Sequence, residues 1–172
     1  MERFWNIVYY CTYKMNCKGN YYFYKFTGLS KIYDILFIKR RFKNKFGIDD
    51  PKKQLLDINN DPKSGLNIIF TDVLMGGWCM LFLFALLIFF IMIMGIEPPK
   101  NTTPLIVVII LCVIICEWFL QSFFWRKNKY QKFFKQFDKK PRKWKIKWAW
   151  ISLGVILFPF VVLVLCFVVL SK

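Results

Sequence analysis

Three uninterrupted apolar runs constrain this chain more than any other feature. Val73 to Ile96 and Trp148 to Leu170 hold no charged residue, and Pro104 to Trp125 holds only Glu117. At about 1.5 Å rise per residue, ~20 helical residues match a hydrocarbon core of about 30 Å, so each run suffices to cross a bilayer. A core helix of a soluble domain keeps a polar stripe, whereas these runs are apolar on every side. The expected fold is an all-α membrane protein with three transmembrane helices near 68–96, 104–125 and 148–170. Basic amphipathic interfacial helices are expected on its cytoplasmic side.

Outside the runs the chain is basic, with a formal net charge of +16 over 172 residues. We divide it into basic, aromatic-rich cytoplasmic or interfacial helices over 1–62 and a three-helix membrane domain over 63–172. Neither the amino-terminal stretch nor the segment between the second and third runs is long enough for a large independent core. Histidine is absent, which removes the commonest general base and the commonest metal ligand. Cys79, Cys112, Cys116 and Cys166 lie inside runs and are read as small apolar residues, with Cys11 and Cys17 in a reducing cytoplasm. Cys112 and Cys116, one turn apart, lack the further ligands a soft metal needs, so no metal and no cofactor is expected. The start, Met1-Glu2-Arg3-Phe4-Trp5, carries no apolar signal-peptide core. Heavy use of Lys, Asn, Ile, Phe and Tyr suggests an AT-rich, bacterial coding genome.

Charge sets the expected orientation. Between the second and third runs, residues 126–147 carry eleven basic side chains and one acid, Asp138, whereas the connection from Glu97 to Thr103 carries one of each sign. By the positive-inside rule the basic loop is cytoplasmic. The amino terminus is then cytoplasmic and the carboxy terminus external, in a bacterial inner membrane.

Along the chain, Phe4 to Lys18 reads as an aromatic-rich helix, and Asn16 to Asn20, with Gly19, as a turn. Leu29, Ile32, Tyr33, Leu36 and Phe37 recur at helical spacing beside Lys39, Arg40, Arg41 and Lys43, which predicts a basic amphipathic helix to Lys45. Gly47 should stop it, and Asp50-Pro51 should cap a short helix through Ile58. Asp61 is the expected N-cap of the helix that becomes the first span. Tyr130, Phe133, Phe134 and Phe137 continue an apolar stripe beyond the second span, and Pro141 ends it. Pro159 should kink the third span or leave a carbonyl unpaired.

Glu117 is the most informative single residue. About nine residues from its helix end, it lies roughly 13 Å deep, where a carboxylate costs a few kcal/mol unless protonated, paired or wetted. Asp72, Gln121 and Ser152 are placed with it in an intramembrane polar cluster, and Gly76 and Gly77 mark close helix packing. Such a cluster either lines an ion path, receives a partner's membrane segment, or fixes how the helices pack. Lys39, Arg40, Arg41, Lys43, Lys132, Lys135, Lys139 and Lys140 are read as contacts to anionic lipid headgroups, at ~1 kcal/mol each near a charged surface. The same basic and aromatic interleaving would suit single-stranded nucleic acid, but no nucleic-acid module accompanies it. No phosphate-binding loop or catalytic motif is present, so no enzyme is expected.

The layout is similar to that of small uncharacterised multi-span membrane proteins of Bacteroidota. The features that carry the likeness are Phe4-Trp5-Asn6-Ile7-Val8-Tyr9-Tyr10 with Tyr13-Lys14, and an Asp-Pro ahead of the first span. Lys129-Tyr130-Gln131-Lys132 with Phe137 after the second span and a terminal third span complete it. Residues 19–60 read as an insertion relative to that layout. The resemblance implies an accessory protein of the immunity type, which neutralises a membrane-acting toxin by direct binding. An oligomeric membrane effector or small channel, and a scaffold that recruits a cytoplasmic protein through the basic face, remain as alternatives.

Overall fold

A computed structural model describes residues 1–94, 102–125 and 129–170; the short connections at 95–101 and 126–128 and the last two residues lie outside it. The described backbone is predominantly helical, with no strand. The helices are α1 (Glu2–Phe26), α2 (Leu29–Ile32), α3 (Leu36–Phe46), α4 (Pro51–Asn59), α5 (Leu66–Met94), α6 (Thr102–Leu120), α7 (Lys129–Asp138) and α8 (Arg142–Leu170). A π-helical turn over Gln121–Trp125 continues α6. The helical stretches Leu66–Ile91, Ile106–Trp125 and Arg142–Val168 are long and apolar enough to cross a membrane. The chain is therefore an all-α membrane protein with three spanning helices.

Local chemistry explains most boundaries. Gly47 ends α3 in the left-handed region, φ 69°, a conformation glycine adopts without a Cβ penalty. Asp50 Oδ1 accepts from the Lys53 amide at 3.1 Å, and Pro51 supplies the first turn of α4, where a missing N–H costs nothing. Asp61 does not cap a helix. Its carboxylate accepts from the Lys63 amide at 3.1 Å and the Ser64 hydroxyl at 2.7 Å, holding a turn that ends at Gly65. A Cβ on Gly65 would fall 2.5 to 2.7 Å from the carbonyl oxygens of Asn59, Asp61 and Ile58, so the turn admits only glycine.

Two segments depart from the sequence reading. The turn expected at Asn16 to Asn20 is continuous helix, because α1 runs unbroken to Phe26. Asparagine breaks helices when its side chain bonds to nearby backbone. Here Asn16 Nδ2 donates to Thr71 Oγ1 at 3.0 Å and Asn20 Nδ2 to Asn67 Oδ1 at 2.6 Å, so the amides are engaged by another helix. The basic amphipathic helix is two pieces, α2 and α3, separated at Tyr33 to Ile35.

The chain divides into two compact units, one of residues 1–11 with 73–172 and one of residues 12–72. In the first, Trp78, Cys79 and Cys116 form a buried centre that Trp5, Phe82, Phe119 and Val155 pack against. Ring centroids lie 5.2 Å apart for both Trp5–Trp78 and Trp5–Phe119, and Tyr9 stacks on Phe124 at 4.7 Å. These spacings suit favourable aromatic pairs. On α7 the expected stripe is buried at Tyr130, Phe134 and Phe137 and half-buried at Phe133, with Lys132 and Lys135 exposed and Lys139 exposed just beyond the helix.

The second unit is joined by neutral polar side chains. Tyr13, Asn16, Asn20 and Tyr24 fall on one face of α1 at helical spacing. The Tyr13 hydroxyl donates to the Asn60 carbonyl, Asn67 Nδ2 to Asn60 Oδ1 at 2.7 Å, and Asn59 Nδ2 to the Tyr24 hydroxyl at 3.3 Å. Thr71 Oγ1 donates back to the Asn67 carbonyl at 2.7 Å.

Candidate functional site

The first unit satisfies the backbone groups that its two irregular helices expose. Pro159 lies inside α8 and has no N–H to give the Val155 carbonyl, four residues earlier. The indole Nε1 of Trp78 donates to that oxygen at 2.9 Å. In the π-helical turn, the Phe123 carbonyl accepts from Asn6 Nδ2 at 3.1 Å, and the same nitrogen donates to the Glu2 carbonyl at 2.9 Å. Asn6 is fully buried, and its Oδ1 has no hydrogen-bond partner among the described residues. Non-helical backbone at membrane depth requires such internal partners, because lipid supplies none.

Beyond the span, the Tyr10 hydroxyl donates to Asp138 Oδ1 at 2.8 Å. Burial and this carboxylate push the Tyr10 pKa well above its ordinary value of 10.0. Burial likewise raises the thiols of Cys11 and Cys17, with the Ser152 hydroxyl partly offsetting the shift at Cys11.

The residues placed in the intramembrane cluster separate by direction. Ser152 points inward and is fully buried on α8. Cys116, Leu120 and Phe124 form the inward stripe of the second span. Glu117 and Gln121, one turn apart, face outward beside Trp118, which is 67% exposed. No hydrogen bond or ion pair ties the Glu117 carboxylate to another described residue, and little of the second span is buried within the chain. Asp72 is half-buried and belongs to the other compact unit. Gly76 faces Leu120 with room for a Cβ at 3.6 Å from its Cδ1, and Gly77 faces open space, so neither glycine is compelled by backbone contact. Pro159 is accommodated within a continuous helix by the Trp78 bond.

The basic residues assigned to headgroups are mostly exposed. Arg40, Arg41, Lys132, Lys135, Lys139 and Lys140 lie open. Lys39 pairs with Asp34 at 3.6 Å and Lys43 with Asp49 at 2.9 Å; the latter carboxylate raises the Lys43 pKa by hydrogen bonding. Among the described residues no group of three His, Cys, Asp or Glu side chains is arranged to hold a metal.

Trp78 and Asn6, which hold the irregular backbone, carry no motif. Pro159 gave half of that signal, since it names the carbonyl but not the donor. The Tyr13, Asn16, Asn20 and Tyr24 face was readable as a polar stripe at helical spacing. Comparison with known protein families, curated proteins and solved structures gives no match to this chain.

Proposed function

We propose that this chain is a non-enzymatic membrane protein that acts by binding a membrane-inserted protein partner, the immunity-type activity its layout resembles. One observation carries this reading: Glu117 faces outward near the middle of a spanning helix, with Gln121 one turn nearer its end on the same exposed side. An ionised carboxylate there costs about 2.5–3.5 kcal/mol on insertion scales, which a hydrogen-bonding partner helix would offset. The inward stripe of the same helix is fully used in packing, so the polar pair is surplus to the chain's own fold. The exposed bases of α3, with Leu36 and Phe37 exposed on the same helix, support adhesion to an anionic leaflet. In this reading the basic loop and amino terminus are cytoplasmic, the carboxy terminus is external, and the membrane is a bacterial inner membrane.

The test is protection. Cells co-expressing this chain with membrane-acting proteins encoded beside its gene should survive one of them, and Glu117→Leu should abolish the rescue while Lys132→Gln leaves it intact. Leakage of cell contents caused by this chain alone would overturn the reading in favour of a channel-forming effector.

A further inference from the structure

Within the unit of residues 12–72, a cavity of about 350 Å³ opens where α1, α2 and α4 meet. That volume falls in the range of small-ligand pockets, about 300–1,000 Å³. Its lining is chemically uneven. Lys25 from α1, Lys31 from α2 and Lys52 from α4 converge on it, with Tyr21, Tyr24 and Tyr33 around them and Leu55 and Leu56 on one wall. One acid, Asp34, shares the lining and pairs with Lys52 at 3.5 Å and with Lys39 at 3.6 Å.

Three ammonium groups against one carboxylate leave the cavity with an excess of two positive charges. Lys25 and Lys31 have no ion-pair partner among the described residues, so their charges are available to a ligand. The Tyr24 hydroxyl accepts from Asn59 and retains its own proton to donate. Gly28, at φ 69°, bends the chain between α1 and α2 and places Lys31 on the same cavity as Lys25. Three cations from three helices, phenol donors and an apolar wall are a complement to a doubly charged anion carried on a small organic group.

We infer that this cavity is a binding site for a phosphate ester, its phosphoryl oxygens held by Lys25, Lys31 and Lys52 and its organic part against the tyrosines and Leu55. This goes beyond the binding of a protein partner and does not depend on Glu117. The phosphate ester has two sources, the headgroup of a membrane lipid or a soluble phosphorylated metabolite. Volume and charge suit both.

The full-length chain separates them in two arms. In one, the detergent-solubilised protein is titrated with glycerol phosphate by calorimetry. In the other, nanodiscs of phosphatidylcholine carrying the protein and phosphatidic acid are followed by native mass spectrometry. Lys25→Gln with Lys31→Gln should weaken binding at least about tenfold in whichever arm binds. Lys143→Gln with Lys147→Gln removes the same charge from exposed positions outside the cavity and should change it less than about twofold. The responding arm identifies the source. Asp34→Asn, which removes the negative charge of the lining, should tighten binding by roughly threefold, a gain that a misfolded variant does not give. Equal losses from the two lysine pairs, no gain from Asp34→Asn, or no binding in either arm would overturn the assignment.

Discussion

The indole of Trp78 stands in for the backbone amide that Pro159 lacks, donating to the Val155 carbonyl at 2.9 Å across two spanning helices. A hydrogen bond between spans contributes about 0.6 kcal/mol on average and up to about 1.7 kcal/mol. This one should lie at the upper end, because the alternative is a bare carbonyl in hydrocarbon. Trp78→Phe should therefore lower stability by about 1–2 kcal/mol in detergent unfolding. In a Pro159→Ala background the residue-159 amide reclaims the carbonyl, and Trp78→Phe should then cost less than half as much. Equal costs in both backgrounds would show that the indole acts by packing alone.

Gly65 and Gly77 make a matched pair of tests. A methyl group at Gly65 meets three backbone carbonyls that no rotamer change can move, so Gly65→Ala should cost about 2 kcal/mol or more. At Gly77 there is open space, and alanine favours the helix, so Gly77→Ala should be neutral or stabilising by under about 1 kcal/mol. Thermal unfolding of the two variants side by side checks both.

Tyr10 predicts an alkaline weakness. Its folded pKa is raised above the unfolded value of 10.0 by burial and by Asp138, so its contribution is complete below pH 10 and is lost as pH rises toward the folded value. Above pH 10 the unfolded chain releases this proton first, and stability should fall by at most about 1.4 kcal/mol per pH unit from this group. Tyr10→Phe should be less stable at neutral pH, by about 1 kcal/mol. Its stability should also fall less steeply between about pH 10 and 11. Parallel slopes in denaturant midpoints would remove Tyr10 as the source.

Glu117→Leu separates a binding role from a structural one. Because the side chain faces outward without a partner among the described residues, its replacement should leave the isolated protein as stable as before or stabilise it in lipid by up to about 3 kcal/mol. Loss of partner binding with retained stability, read by steric-trap or thermal unfolding in bicelles, is the expected pattern. A destabilised variant would place Glu117 within the fold.

The spans were legible because an all-apolar run is its own signal, and the Asp50-Pro51 cap and the Gly47 stop because they act within one turn of backbone. Asn16 and Asn20 were misread as a turn because the groups that engage their amides, Thr71 and Asn67, lie some fifty residues away. The outward direction of Glu117 was hidden for the opposite reason. A helix apolar on all sides has no preferred face until Cys116, Leu120 and Phe124 find neighbours to pack against. The π-helical turn at Gln121–Trp125 leaves no compositional trace, since its phenylalanines suit an ordinary helix as well.

The Asn6 bond to the Phe123 carbonyl joins groups 117 positions apart, which imposes an order on biogenesis. Asn6 must wait for the second span to be made before its Phe123 acceptor exists. Until then the buried Asn6 amide lacks its Phe123 acceptor, and a truncated product ending before residue 123 should be a ready target for quality-control proteolysis.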